Sequence, residues 1–328
     1  MKSRVTILLW MFLPVVASAA DYKAPRLPDG TPDLQGVWTN ATQTPLERPA
    51  ELGNRRALTE EEAIAIEKKA RGAVAADAAP SDPSKQIEAG ALPPVGNYNL
   101  FWTDRGMTAA VIDGEYRSSI IVDPPNGRIP VRSDGSSRLA ARMRGESAAD
   151  GPEQRPLGER CLLSFGSSAG PPMLPTMYNS YYQIVQSPGH VMILVEMVHD
   201  VRMIRIGGEH PPASLRKWMG DSIGRWEGDT LVVETTNFRP DQSFRGSSEN
   251  VVITERFRRV AADKIDYQFT IEDPTVFGSK FTGELPFIAA DVNIYEYACH
   301  EGNYALPGIL AAEREKEKAE AAAKQAKK

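Results

Sequence analysis

The sequence predicts a mainly β protein, a closed antiparallel barrel of about eight to ten strands with an N-terminal arm and a few short helices; a two-sheet β-sandwich is the alternative. Two observations carry this expectation. Short runs of β-branched and aromatic residues recur at roughly 8–15 residue spacing through the second half of the chain. The 328 residues include 25 prolines and 26 glycines, many of them between those runs, which favours turns over long helices.

The elements follow in chain order. Lys2 and Arg4 precede an apolar run at residues 5–16, and the small residues Ala17, Ser18, Ala19 and Ala20 close it. These are the parts of a secretory signal, with cleavage expected near Ala19 or Ala20. The run is too short to cross the roughly 30 Å of bilayer hydrocarbon. The expectation is a periplasmic or extracellular protein with no stable membrane insertion.

Residues 21–96 read as an arm, a helix and a linker. The arm is proline-rich to residue 49 and holds a strand-like piece at 35–39. Thr59 and Glu62 form a capping box that starts the helix, with Ile64 and Ile66 as apolar contacts and Lys68, Lys69 and Arg71 suited to its C-terminal end. Residues 75–95, rich in Ala, Pro, Asp, Ser and Gly, read as a linker.

The barrel domain is expected over 97–309. A strand at 116–122 ends in the turn Asp123-Pro124-Pro125-Asn126-Gly127, and 136–145 reads as a short helix carrying Arg138, Arg142 and Arg144. Further strands are predicted at 181–186, 191–197, 201–206, 230–236, 251–258, 265–271, 281–286 and 294–299, with turn or loop elements at Gly189-His190, Gly207-Gly208, Gly228-Asp229 and Ala262-Asp263. Barrel closure hides edges that would otherwise pair with other chains, and the arrangement is lipocalin-like. The tail at 310–328 alternates in charge and reads as a solvated helix without an apolar face.

Without Lys2 and Arg4 the chain has 36 basic and 43 acidic residues, a formal charge of −7. Phosphate binding needs a concentrated basic face, so nucleic acid is excluded as a partner. There is no nucleotide, flavin or P-loop fingerprint, and no cofactor is expected. The two cysteines, Cys161 and Cys299, read as one disulfide in an oxidising compartment, worth on the order of 4–5 kcal/mol in the chain-entropy model. The rival reading is a reactive Cys299 beside His300, but neighbours on a strand face opposite ways.

Three segments, PDGTPDLQGVW at 28–38, WEGDTLVVETTNF at 226–238 and YEYACHEGN at 295–303, resemble a large family of exported bacterial proteins. FRGSSEN at 244–250 and VHD at 198–200 belong to the same pattern. The resemblance spans nearly the whole chain after the leader and implies export and one contiguous domain; it brings no activity.

Two matches to G-x-S-x-G, at 166–170 and 220–224, read as loop residues. The first runs into Pro171-Pro172 and the second into a turn and strand, whereas a nucleophile elbow leads into a helix. The four histidines, His190, His199, His210 and His300, include no close-spaced pair, so no metal site is expected. His199-Asp200 interrupts an apolar stretch at 191–206 that also holds Glu196 and Arg202. Charges on such a face must be paired or meet water in a cavity. If the strand runs straight through, Glu196, Asp200 and Arg202 share a face; if the pair is a hairpin tip, His199 is exposed. On a strand at 294–299, Glu296 and His300 would share a face, and a Cys161–Cys299 bridge would bring Arg160 towards His300.

Trp102, Arg105, Tyr178, Asn179, Tyr181, Trp218 and Trp226 are candidates to line the same pocket. The expected function is therefore a secreted, cofactor-independent lyase, isomerase or hydrolase. His199 or His300 would act as acid/base, Asp200 would support it, and Arg160 and Tyr178 would stabilise charge. Trp102, Arg105, Asn179, Glu196, Arg202, Trp218 and Glu296 would hold a small aromatic, terpenoid or sugar-like substrate. The alternative is a lipocalin-like small-molecule binding protein without catalysis, with a mostly apolar pocket.

Overall fold

The computed structural model describes residues 22–77, 103–104, 106–133, 149–163, 170–240 and 244–326. The leader, the linker beyond residue 77, the short helix at 136–145, Trp102 and Arg105 lie outside the described residues, as does most of the first G-x-S-x-G segment.

Thirteen strands and two α-helices are present among the described residues. Nine strands close into one barrel: β1 (Gly36–Thr39), β6 (Tyr181–Ser187), β7 (His190–Val195), β8 (Val201–Ile206), β9 (Asp221–Glu227), β10 (Thr230–Thr236), β11 (Val252–Ala261), β12 (Lys264–Glu272) and β13 (Phe281–Ala289), with β1 pairing β13 to shut the ring. Every barrel pairing is antiparallel except β8 with β9, which run parallel. A loop from Gly207 to Gly220 makes that crossover, so the barrel is mixed where the sequence pattern suggested a purely antiparallel one. A small separate sheet of β2 (Ala57–Leu58), β3 (Val111–Ile112) and β4 (Glu115–Arg117) packs against β13, where Arg117 pairs with Glu284, and β5 (Ile121–Asp123) pairs β13. The strand predicted at 116–122 is thus two strands in different sheets.

The barrel axis is filled by side chains. On β12, buried Ile265, Tyr267, Phe269 and Ile271 alternate with half-buried residues, the period-2 pattern of a strand with one face on a core. Tyr182 stacks on Phe287 at 5.2 Å, Phe287 on Tyr267 at 5.1 Å, and Phe257 tilts against Tyr267 at 4.9 Å. Gly283 opposite Phe269 makes room for its ring, since a Cβ there would sit 2.3 Å from the ring edge. A lipocalin-like barrel leads one to expect a ligand chamber on the axis; here packed aromatics occupy it.

The capping box forms as predicted: Thr59 N donates to Glu62 Oε2 at 2.8 Å and Glu62 N to Thr59 Oγ1 at 3.3 Å. It starts α1 (Glu60–Asp77). The helix buries Ala63 and Ala70, while Ile64, expected as a contact, is exposed. The C-terminal helix α2 (Ala305–Gln325) buries no residue. Among the described residues no helix is long and apolar enough to cross a membrane.

Two local expectations change. β9 was not predicted, because Gly220-Asp221-Ser222-Ile223-Gly224 reads as a turn; its Gly224 leaves space that Ile206 and Leu231 occupy. The predicted strand at 294–299 is not one. β1 takes the place between β13 and β6, so the ring is already closed when the chain emerges from β13. Residues 291–299 cross the barrel rim as an irregular strap.

Candidate functional site

At the rim where β6 begins and β7 ends lies a cleft of about 500 Å³. It is lined by Asp104, Asn179, Tyr181 and Glu196 together with Asp291, Val292, Asn293 and Tyr295 of the strap.

The turn from β7 to β8 places Glu196. Its amide donates to Tyr181 O at 3.0 Å, and His199 N closes the turn onto Glu196 O at 3.2 Å. Val198 (φ 61°) and His199 (φ 47°) are both left-handed. A β-branched residue rarely adopts that region, and it persists only where its surroundings over-determine it. Here Val198 is buried, and His199 Nδ1 lies 3.1 Å from Tyr297 O. A carbonyl only accepts, so Nδ1 carries the proton and Nε2 is left unprotonated in the neutral ring.

Glu196 is 2% exposed, and its Oε1 accepts the Tyr295 amide at 3.0 Å. Burial pushes its carboxyl above the usual range; hydrogen bonds from Tyr295 N–H and the Asn179 side chain pull the other way, and the negative charge of Asp104 adds to the rise. Asp104 accepts the Tyr181 hydroxyl on Oδ2 at 3.1 Å and the Gly106 amide on Oδ1 at 3.0 Å. Burial, with Asp104 beside it, pushes Tyr181 up to about 12. Asn179 stands at φ 53°, a conformation asparagine tolerates better than most residues.

The strap is held from several sides. Besides the Glu196 and His199 contacts, Cys299 is disulfide-bonded to Cys161, and Asn303 Nδ2 donates to Glu159 O at 2.7 Å. Tyr297 stacks on Tyr178 with ring centres 6.4 Å apart; burial, then Tyr178, pushes Tyr297 up to about 12.

Of the residues picked from sequence, Asn179, Tyr181 and Glu196 line the cleft, while Tyr178 and His199 pack behind its wall against the strap. Others are elsewhere. Arg202 points into the barrel and pairs with Glu255, also bonding Ser222 and Thr235. The straight strand that would have put Glu196, Asp200 and Arg202 on one face is broken by the turn at 196–199. Asp200 instead caps that turn with its carbonyl, which accepts Val195 N at 2.8 Å. Arg160 reaches the Glu153 carbonyl at 3.5 Å rather than His300. Glu296 on the strap and His300 just after it are exposed, and the lost strand no longer puts them on a common face. Trp218 joins a satellite cluster with Leu157 and Leu163, under the Arg239 guanidinium at 4.1 Å. Trp226 packs against the main core. The second G-x-S-x-G serine, Ser222, is buried on β9 and bonded to Arg202.

Asp104, Asp291, Asn293 and Tyr295 were not picked from sequence. The charge of Glu196 in an apolar run, with the polar and aromatic pair Asn179 and Tyr181, signalled the site. Among the described residues no group of three or more His, Cys, Asp or Glu side chains is set to hold a metal. A smaller cleft of about 250 Å³ on the outer wall holds Arg256, Arg258 and Asp266 and none of the residues picked from sequence.

The fold and cleft define a closed mixed β-barrel with a polar, carboxylate-bearing rim site. No protein-family model matches the chain, and no curated protein matches it.

Proposed function

We propose that the protein is an exported, cofactor-independent enzyme of the lyase, isomerase or hydrolase kind. It works in the rim cleft, with Glu196 as the proton-transferring group. The carrying observation is a nearly fully buried carboxyl that opens on a cleft of small-molecule size and faces a second carboxylate, Asp104. Two carboxyls in unlike environments are a recurrent acid/base arrangement. His199 and Tyr178 act in this reading by holding the strap rather than by touching substrate. Export rests on the leader pattern, the resemblance to exported bacterial proteins and the disulfide, a bond characteristic of oxidising compartments.

The test uses chromogenic nitrophenyl esters and glycosides with wild type and Glu196→Gln. Removing a general acid lowers turnover by about 10²–10⁴-fold, with KM little changed. As a general acid, Glu196 works in its protonated form, so activity falls as pH rises through its elevated pKa. Equal turnover by the glutamine variant would sink the proposal. A binding protein without catalysis is the second reading, favoured by the Tyr295 amide that already occupies Glu196 Oε1; in that case no compound is turned over.

A further inference from the structure

We propose that the rim cleft takes an uncharged saccharide or similar polyol, whose hydroxyls bond its carboxylates and amides and whose C–H face lies on Tyr295. This rests on the reading of the cleft as the functional site and names what that site accepts.

Charge narrows the choice first. Asp104 and Asp291 face the cleft beside Glu196, so an anionic ligand would meet like charge at short range. No guanidinium stands among the described lining residues to hold an anion. A terpenoid or other wholly apolar ligand fits no better. It would strip water from three carboxyls and two amides without replacing their hydrogen bonds, at a cost for each group, and Val292 is the only aliphatic lining residue described.

Hydrogen-bond capacity then favours hydroxyls over ammonium groups. Both Asp104 oxygens and Glu196 Oε1 already accept a neutral donor, which leaves their charge in place but takes up one acceptor site on each oxygen. Each carboxylate oxygen keeps a further lone pair, while Asn179 and Asn293 supply both donors and acceptors. A ring of vicinal hydroxyls, each donating and accepting, uses this mixture. Tyr295 is 63% exposed at the rim, an aromatic face with no protein partner stacked on it among the described residues. A volume of about 500 Å³ is of small-molecule size.

The experiment is saturation-transfer NMR on the full chain with glucose, galactose, N-acetylglucosamine and cellobiose, with benzylammonium and benzoate as charge controls. Tyrosines are isotope-labelled to report the binding position. The expected result is transfer to at least one saccharide, with Tyr181 and Tyr295 perturbed. Affinity should weaken by about tenfold in Asn293→Ala, the size expected for one lost hydrogen-bonding side chain, and fall in Tyr295→Ala. Both residues are exposed, so neither change threatens folding. Binding of benzylammonium or benzoate alone, with the cleft tyrosines perturbed, overturns the saccharide assignment but leaves the cleft as the site. Saccharide binding that leaves those tyrosines unmoved overturns the cleft reading itself. No transfer to any saccharide overturns the assignment.

Discussion

Arg202 and Glu255 are 2% and 0% exposed and pair inside the barrel, with Tyr267 Oη donating to Glu255 Oε1 at 2.7 Å. Met173 N in turn donates to the Tyr267 hydroxyl at 3.0 Å, so the network ties the segment entering the barrel end to three strands. Burying two charges is offset only while both are present and well bonded. Glu255→Ala is therefore expected to cost about 3–5 kcal/mol by leaving a guanidinium unpaired, whereas Arg202→Met with Glu255→Leu costs far less. Urea unfolding of the two variants measures the gap. A double variant as unstable as the single one would contradict this account. Glu196 differs in kind: it is buried at the rim, bonded by an amide N–H and an amide side chain, and has no ion-pair partner among the described residues.

The strap at 291–299 forms no strand, and most of its residues are exposed. What holds it are Glu196, His199 and the Cys161–Cys299 bond. That bond spans 138 residues, and a loop of this size is worth about 5 kcal/mol in the chain-entropy model. Cys161→Ser with Cys299→Ser should lose stability of this order in urea unfolding. It should also broaden the NMR signals of Tyr295 and Tyr297 more than those of the buried Tyr267. Uniform broadening would show that the bond supports the whole fold and not the strap in particular. The strap also explains a failed strand prediction. Tyr295, Tyr297 and Cys299 alternate as a strand would, but β1 holds the place between β6 and β13.

At the scale of the molecule, closure depends on four residues far from the rest of the barrel in sequence. β1 lies between β6 and β13, and its Trp38 is 1% exposed with Nε1 donating to Leu34 O at 3.0 Å. Trp38→Ala should cost about 3–5 kcal/mol, the range for deleting a buried indole. By loosening β1 it should also expose the edges of β6 and β13 to self-association. Unfolding in urea and size-exclusion chromatography check the two effects. A monomer destabilised by less than about 1 kcal/mol would mean that β1 contributes little to closure.

Much of the barrel was legible in the chain, because strands with one buried face carry a two-residue apolar period and the hairpin turns at Gly228-Asp229 and Ala262-Asp263 carry their own signals. The disulfide was legible too, since two cysteines that oxidise within one chain leave one pairing. Glu196 was visible as a charge inside an apolar run. Asn179 and Tyr181 were legible as pocket candidates, but Asp104, Asp291 and Tyr295 come from loops whose residue types suit any solvated surface, and nothing in their spacing links them to β7. The parallel β8–β9 pairing and the placing of Arg202 inside the ring were likewise decided by the tertiary structure. Local periodicity states which face of a strand is buried, but not which strand lies beside it or which loops converge at its end.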